Sequence, residues 1–405
     1  MSNHPGAIPL VRPPTLRDDK TRGATRLELF FDLAYVLAVA ALATNLVVDV
    51  DWGAVGEFAF LLVLIWLSWA QFTLYNNRFD TDDIVLRLAK FGAMAAVLGC
   101  AASVYEATAS LSAVFATSYL VGRLVLLLLY ARAWRHVEEA RSTIGVYLVG
   151  SSAVIALWAL SLVTPPPVRL VLWGVGAVVD IVTPIVATHR SAAAPLHLEH
   201  LPERFGLLVI LVLGEVAAAV VAGLHDTNWD VTSSLVAGTA FLVAVAAWWA
   251  YFDVSEEFSA NPLRDAQEDA EQEEADSGAD DDEVAKVDQR HDLFVYGHLP
   301  VTAGLLAAGV GLEELIIHPH DVLPSAGSWL VVGGLATFLA GTALVLGGTE
   351  RRVGRALRWP GVAVPVMLGL GFVGPRDPLL FGLATAVLLA IVVAVGTVLS
   401  RRQEV

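Results

Sequence analysis

A chain of 405 residues that is 56% hydrophobic and only 16% charged, with a mean hydropathy of +0.64, has too little charged surface for a soluble protein of its size. Its formal net charge of −16 is local: residues 255–292 hold fifteen of the 41 acidic residues, against Arg264, Lys286 and Arg290. One cysteine, Cys100, excludes an intrachain disulfide and a cysteine-built metal site.

Residues 1–24 are polar and read as a cytoplasmic N-terminal segment, not a cleavable signal peptide. Uncharged runs long enough to cross roughly 30 Å of hydrocarbon then recur. They predict an all-α integral membrane protein of about twelve transmembrane helices, at 29–48, 58–75, 91–108, 113–130, 144–163 and 170–188. A second set follows at 207–224, 235–252, 295–317, 329–346, 361–373 and 379–399. The eleventh is short and contains Pro365. Between the eighth and ninth, the acidic stretch 255–292 has many like charges and no apolar period, so it is expected to be disordered.

The cations alternate. Even-numbered connections, with both termini, hold twenty-two Lys and Arg, the odd-numbered ones hold only Arg169 and Arg376, and Arg123 lies within helix four. By the positive-inside rule both termini are expected in the cytoplasm of a plasma-membrane protein. The chain also divides into a first six-helix half, 25–190, and a second, 191–400. Trp66, Trp69 and Asp80 of helix two align with Trp248, Trp249 and Asp253 of helix eight, and Phe91-Gly92 and Glu106 align with Tyr296-Gly297 and Glu313. A parallel six-plus-six internal repeat is the expected architecture.

Ionisable residues inside a bilayer need a partner or a wet cavity. Glu28 and Asp32 share one face of helix one. Arg123 is the one cation placed deep in a span, Asp180 precedes Pro184 in helix six, Glu215 lies in helix seven, and His298, Glu313 and Glu314 bracket helix nine. Asp32, Asp180 and Glu215 then exceed one buried base, and surplus acids are protonated, bind a cation or line a wet path. At the entry to helix seven, His197-x-x-His200 with Glu203 has one-turn metal spacing, while Glu203 in a first turn also suits the helix dipole. Trp52, Tyr75, Trp229, Trp248, Trp249 and Tyr251 read as an interfacial aromatic belt. No phosphate loop, nucleophile elbow or deep helical lysine occurs, so no cofactor is expected, and no basic patch suggests nucleic acid.

Three segments carry a resemblance. Thr25-Arg26-Leu27-Glu28-Leu29-Phe30-Phe31-Asp32-Leu33 opens helix one. His200-Leu201-Pro202-Glu203-Arg204-Phe205-Gly206-Leu207 with Leu213-Gly214-Glu215 forms helix seven, and Tyr296-Gly297-His298-Leu299-Pro300 with Gly311-Leu312-Glu313 forms helix nine. With Trp248-Trp249-Ala250-Tyr251-Phe252-Asp253 they resemble the low temperature requirement protein A family. The resemblance implies a polytopic membrane protein linked by name to growth in the cold, without a reaction or substrate. Where that family often has His after the helix-nine Glu, this chain has Glu314.

Three functions fit. One is an ion- or proton-coupled transporter or channel-like protein, acting on protons or small cations through Glu28, Asp32, Asp180, Arg204, Glu215, His298 and Glu313, with Arg123, Glu203 and His200 as charge partners. The second is a membrane-embedded enzyme on a lipid or isoprenoid, using His200, Glu203 and His298. The third is a sensor or scaffold in which every buried acid is paired.

Overall fold

A computed structural model describes residues 9–17, 25–190, 200–227, 229–259, 281–322, 325–349 and 360–401, with side chains at 189–190, 200, 253–259, 281–289, 325, 349, 360 and 399–401 also outside the description. Among the described residues the chain is helical apart from one two-residue ladder. The helices are α1 Arg26–Val48, α2 Trp52–Arg78, α3 Ile84–Ser103, α4 Ser112–His136, α5 Arg141–Ser161 and α6 Pro166–Arg190. They continue with α7 His200–Asp226, α8 Val231–Ser259, α9 Asp281–Ile317, α10 Ser325–Thr349, α11 Pro360–Val373 and α12 Pro378–Arg401. Eleven are long and apolar enough to cross a membrane, which implies a multi-pass protein embedded in lipid. The exception is α11, whose 14 residues rise about 21 Å at 1.5 Å each. Large apolar side chains stay exposed in mid-helix, among them Leu37, Leu128 and Val149, as lipid-facing positions should.

Chain segments group into two compact units, one of residues 1–42 and 60–204, the other of 43–59 and 205–405. In the first unit α3 packs on α4, α4 on α5, and α5 on α6. Its core is aromatic: Tyr119 stacks on Trp158 at 3.8 Å, Trp158 on Trp173 at 4.9 Å, and Tyr130 on Tyr147 at 4.7 Å between ring centroids. Strand β1 (Thr15–Leu16) pairs antiparallel with β2 (Phe79–Asp80), a contact absent from the sequence expectation. It lays the N-terminal segment across the α2–α3 corner. Asp83 caps α3 there, accepting from Leu86 N–H and Arg12 N–H, each at 2.8 Å, and from Arg132 Nη2 at 2.5 Å.

The second unit is built on small residues. Gly297, Gly304 and Gly311 recur every seven residues on α9, and Gly334, Gly341 and Gly348 do so on α10. A Cβ on Gly304 would strike backbone atoms of Phe338 and Gly334, and one on Gly341 would lie 2.6 Å from Val301 N. Strict heptad spacing keeps one seam facing its partner, and glycine lets the backbones close where lipid offers no hydrophobic drive to associate.

Several expectations change. Helix three begins at Ile84, seven residues before 91, because Asp83 supplies a capped start that hydropathy does not register. Helix seven begins at His200, not 207. Tyr75 and Tyr251 are buried at 2% and 7% exposure, whereas Trp52 and Trp229 are 60% and 70% exposed, so the aromatic belt is smaller than expected. Within 255–292, α8 runs to Ser259 and α9 begins at Asp281, and the intervening 260–280 lie outside the described residues.

Candidate functional site

Helix α1 opens with a reciprocal cap. Thr25 Oγ1 accepts from Glu28 N–H at 3.2 Å, and Glu28 Oε2 accepts from Thr25 N–H at 2.9 Å. This capping box fixes the Glu28 carboxylate at the helix start. One turn on, Asp32 is fully buried. Its Oδ1 accepts from Trp69 Nε1 of α2 at 2.9 Å and from Arg204 Nη2 of α7 at 2.8 Å. Arg204 Nη1 lies 3.4 Å from Glu28 Oε2, and Lys90 Nζ of α3 lies 3.7 Å from Glu28 Oε1. The result is a buried cluster of two anions and two cations. Each charge would cost several kcal/mol alone out of water, so pairing is the condition of its burial. One lone-pair oxygen stays uncommitted: Asp32 Oδ2 is buried without a hydrogen-bond partner.

A cleft of about 390 Å³ opens beside Glu28, lined also by Arg17, Arg26, Asp82, Arg87 and Lys90. The N-terminal ladder brings Arg17 there, with its N–H bonded to Arg78 O at 3.0 Å and its Nη1 to Asn76 O at 3.1 Å. Close by in sequence but outside the spans, Asp83 has its carboxyl held below the usual range. Burial pushes it up, but donation from Arg132, Arg12 N–H and Leu86 N–H outweighs that.

A second buried pair lies deeper in the same unit. Arg123 Nη2 donates to Asp180 Oδ1 at 2.5 Å, Tyr119 OH donates to Asp180 Oδ2 at 3.2 Å, and Gln71 Nε2 donates to the Asp180 carbonyl at 2.7 Å. Asp180 thus neutralises Arg123. The expected surplus of acids narrows to Glu215, since Asp180 and Asp32 each meet a cation. Lys90 and Arg204, counted as connection cations from the sequence, are 3% and 7% exposed within helices. They balance Glu28 and Asp32.

Of the remaining candidates, Glu215, His298, Glu313 and Glu314 belong to the second unit, and His200 and Glu203 to the first. His298 is fully buried. Its Nδ1 is 2.6 Å from Phe294 O, an acceptor only, so Nδ1 carries the proton, and Nε2 then accepts from Tyr251 OH at 2.7 Å. Phe205 and Phe294 rings close around it at 4.5 and 4.8 Å. Glu215 and Glu313 are half-buried, and neither makes an ion pair or hydrogen bond among the described residues. Glu314 is 3.7 Å from His318. Glu203 is exposed in the first turn of α7. His197 and the side chain of His200 lie outside the described residues. Among the described residues no group of three or more His, Cys, Asp or Glu could hold a metal.

Sequence reasoning missed Thr25, Trp69 and Lys90 as members of the first cluster. Thr25-x-x-Glu28 was a legible capping box, and Lys90 is one of three lysines in the chain. Nothing in the sequence tied Trp69 to Asp32.

Residues 23–400 match the family of the bacterial low temperature requirement A protein (LtrA). A protein of Rhizobium meliloti (strain 1021), named uncharacterized protein RA0937, is 28% identical over 343 residues, covering 80% of this chain and 77% of its own length. No solved structure matches.

Proposed function

The chain belongs to the bacterial low temperature requirement A protein family, and on that premise we propose that it is a proton-coupled transporter whose acid–base centre is the Glu28–Asp32 cluster. The observation that carries this reading is the state of Asp32, fully buried with Oδ2 uncommitted, one helical turn behind a carboxylate that lines an open cleft. A proton reaching Glu28 from the cleft has an acceptor one turn further in. Protonation of Asp32 would remove half of its pair with Arg204, a charge lock of the kind that couples ion binding to conformational change.

The cation bias supports twelve spans with both termini in the cytoplasm, so that the cleft opens inward. The matching order of neighbours, α3 on α4 on α5 and α9 on α10 on α11, supports two parallel halves at 25–190 and 191–400. The lipid-enzyme reading has less behind it, because both ring nitrogens of His298 are occupied in packing.

A pH jump on a solid-supported membrane tests the proposal without a known substrate, since it records charge entering the protein. The wild type is expected to give a transient current. The double variant Asp32→Asn/Arg204→Gln, which leaves no lone buried charge, is expected to lose it while keeping the wild-type melting behaviour to within a few degrees, about 1 kcal/mol. A silent wild type, or an unchanged current in the double variant, sinks the reading.

A further inference from the structure

The charge lining the cleft narrows what such a transporter would carry. We propose that the cleft beside Glu28 is an oxyanion site, in which the Lys90 ammonium takes a carboxylate or phosphate oxygen. As a substrate class this rests on the transport reading above, whereas the binding site itself does not.

Lys90 carries the argument. Its stem is buried in α3, it is 3% exposed, and it lines the cleft. An ammonium has three donors, and among the described residues Lys90 makes no hydrogen bond. The one carboxylate within 4 Å among those residues is Glu28, at 3.7 Å, which is longer than a hydrogen bond. A buried cation with its donors unfilled is costly unless something else supplies acceptor oxygens.

The other charges on the cleft decide the sign of that partner. Arg87 is committed to Asp82 by two bonds, at 3.0 and 3.1 Å. Asp80 lies 3.9 Å from Arg12 Nη2. Glu28 already accepts from Thr25 N–H and lies beside Arg204. Against these, Arg17 Nε is buried without a partner, and Arg26 is exposed and makes no ion pair or hydrogen bond among the described residues. The uncommitted charge on the cleft is therefore positive. A single oxyanion fits it, while an organic cation would meet Lys90, Arg17 and Arg26 together. An oxyanion at Lys90 also competes with Glu28 for the same ammonium, so anion binding would free the carboxylate that the proton is proposed to reach.

The oxygen could come from a soluble anion or from a phospholipid headgroup at the membrane surface. Purified protein in neutral detergent would be titrated with radiolabelled inorganic phosphate and acetate, and nanodiscs with phosphatidylglycerol in a phosphatidylcholine background would be read by native mass spectrometry. Saturable binding of at least one probe is expected, the two arms separating a soluble ligand from a headgroup. Lys90→Gln should weaken it by about tenfold or more, the worth of a charge-assisted hydrogen bond. Lys90→Arg should hold it within a few-fold.

Glu28→Gln gives the decisive sign. Gln keeps the capping box but removes the competitor, so binding should tighten. No saturable binding of any probe, or Glu28→Gln weakening it as Lys90→Gln does, overturns the proposal. Should Lys90→Gln fail to fold, Lys90→Arg and Glu28→Gln still decide. Binding without pH-jump currents would sink the transport reading and leave the site standing, and currents without binding would do the reverse.

Discussion

The first unit buries Glu28, Asp32, Lys90, Arg123, Asp180 and Arg204, with buried polar atoms to spare: Arg123 Nε and Nη1, Gln71 Oε1 and Tyr130 OH find no partner. The second unit buries no Asp, Glu, Lys or Arg among its described residues, only His298 and a few Ser and Thr. Thr302, Thr342 and Thr385 each donate to the carbonyl four residues earlier, satisfied within their own helices. The first unit is therefore held by ion pairs, hydrogen bonds and stacked rings, the second by backbones brought close at glycine. Ion pairs can be broken and remade by a proton or a ligand. A glycine seam is held by van der Waals contacts that separation forfeits.

Four tests press on that difference. The largest effect is expected at Gly304→Leu, whose side chain has no room against Phe338 and Gly334. No folded protein should be recovered in detergent, while Gly238→Ala, with nothing within 4 Å of its Cβ, should melt at or slightly above the wild type, by up to about 1 kcal/mol. Equal behaviour of the two would mean that the seam does not frame the unit. Next, Arg204→Gln strands Asp32 in a buried position and should cost about 3–5 kcal/mol, with Asp32→Asn recovering a large part of it. Additive losses in that cycle would show that the two do not act as a pair. Smaller again, Tyr251→Phe leaves His298 Nε2 without its donor and should cost about 1–3 kcal/mol. A null effect there would show that His298 does not depend on Tyr251.

The smallest effect expected is at Asp83→Asn, about 1 kcal/mol at neutral pH for a cap and a partly exposed Arg132 pair. Its folded carboxyl lies below the ordinary range, so its contribution is present above the unfolded value near 4 and is lost as pH falls through the folded one. The gap between wild type and variant should therefore close on acidification. A gap that widened would contradict the bonding around Asp83.

Much of the architecture was legible. Eleven of the expected spans coincide with long apolar helices because hydrocarbon thickness imposes a length that hydropathy records. Helix starts were read less well. Ile84 and His200 begin their helices in polar sequence, where hydropathy is silent, and at Ile84 the Asp83 cap decides. Those starts place Lys90 and Arg204 inside helices, where they balance Glu28 and Asp32 and leave Glu215 as the acid without an ion pair among the described residues.

Glu28, Asp32, Arg123, Asp180 and Arg204 were all visible as candidates, because ionisable residues are conspicuous in an apolar chain. Their partners were not. Asp32 meets Trp69 across 37 residues and Arg204 across 172, and Arg123 meets Asp180 across 57. By itself the sequence determined that this is a polytopic helical membrane protein and which charges must be accounted for, since both follow from the cost of exposing polar groups to lipid. Only the tertiary structure decided which charge neutralises which, leaving Asp32 Oδ2 uncommitted and Lys90 facing a cleft, because pairing depends on how helices distant in sequence meet.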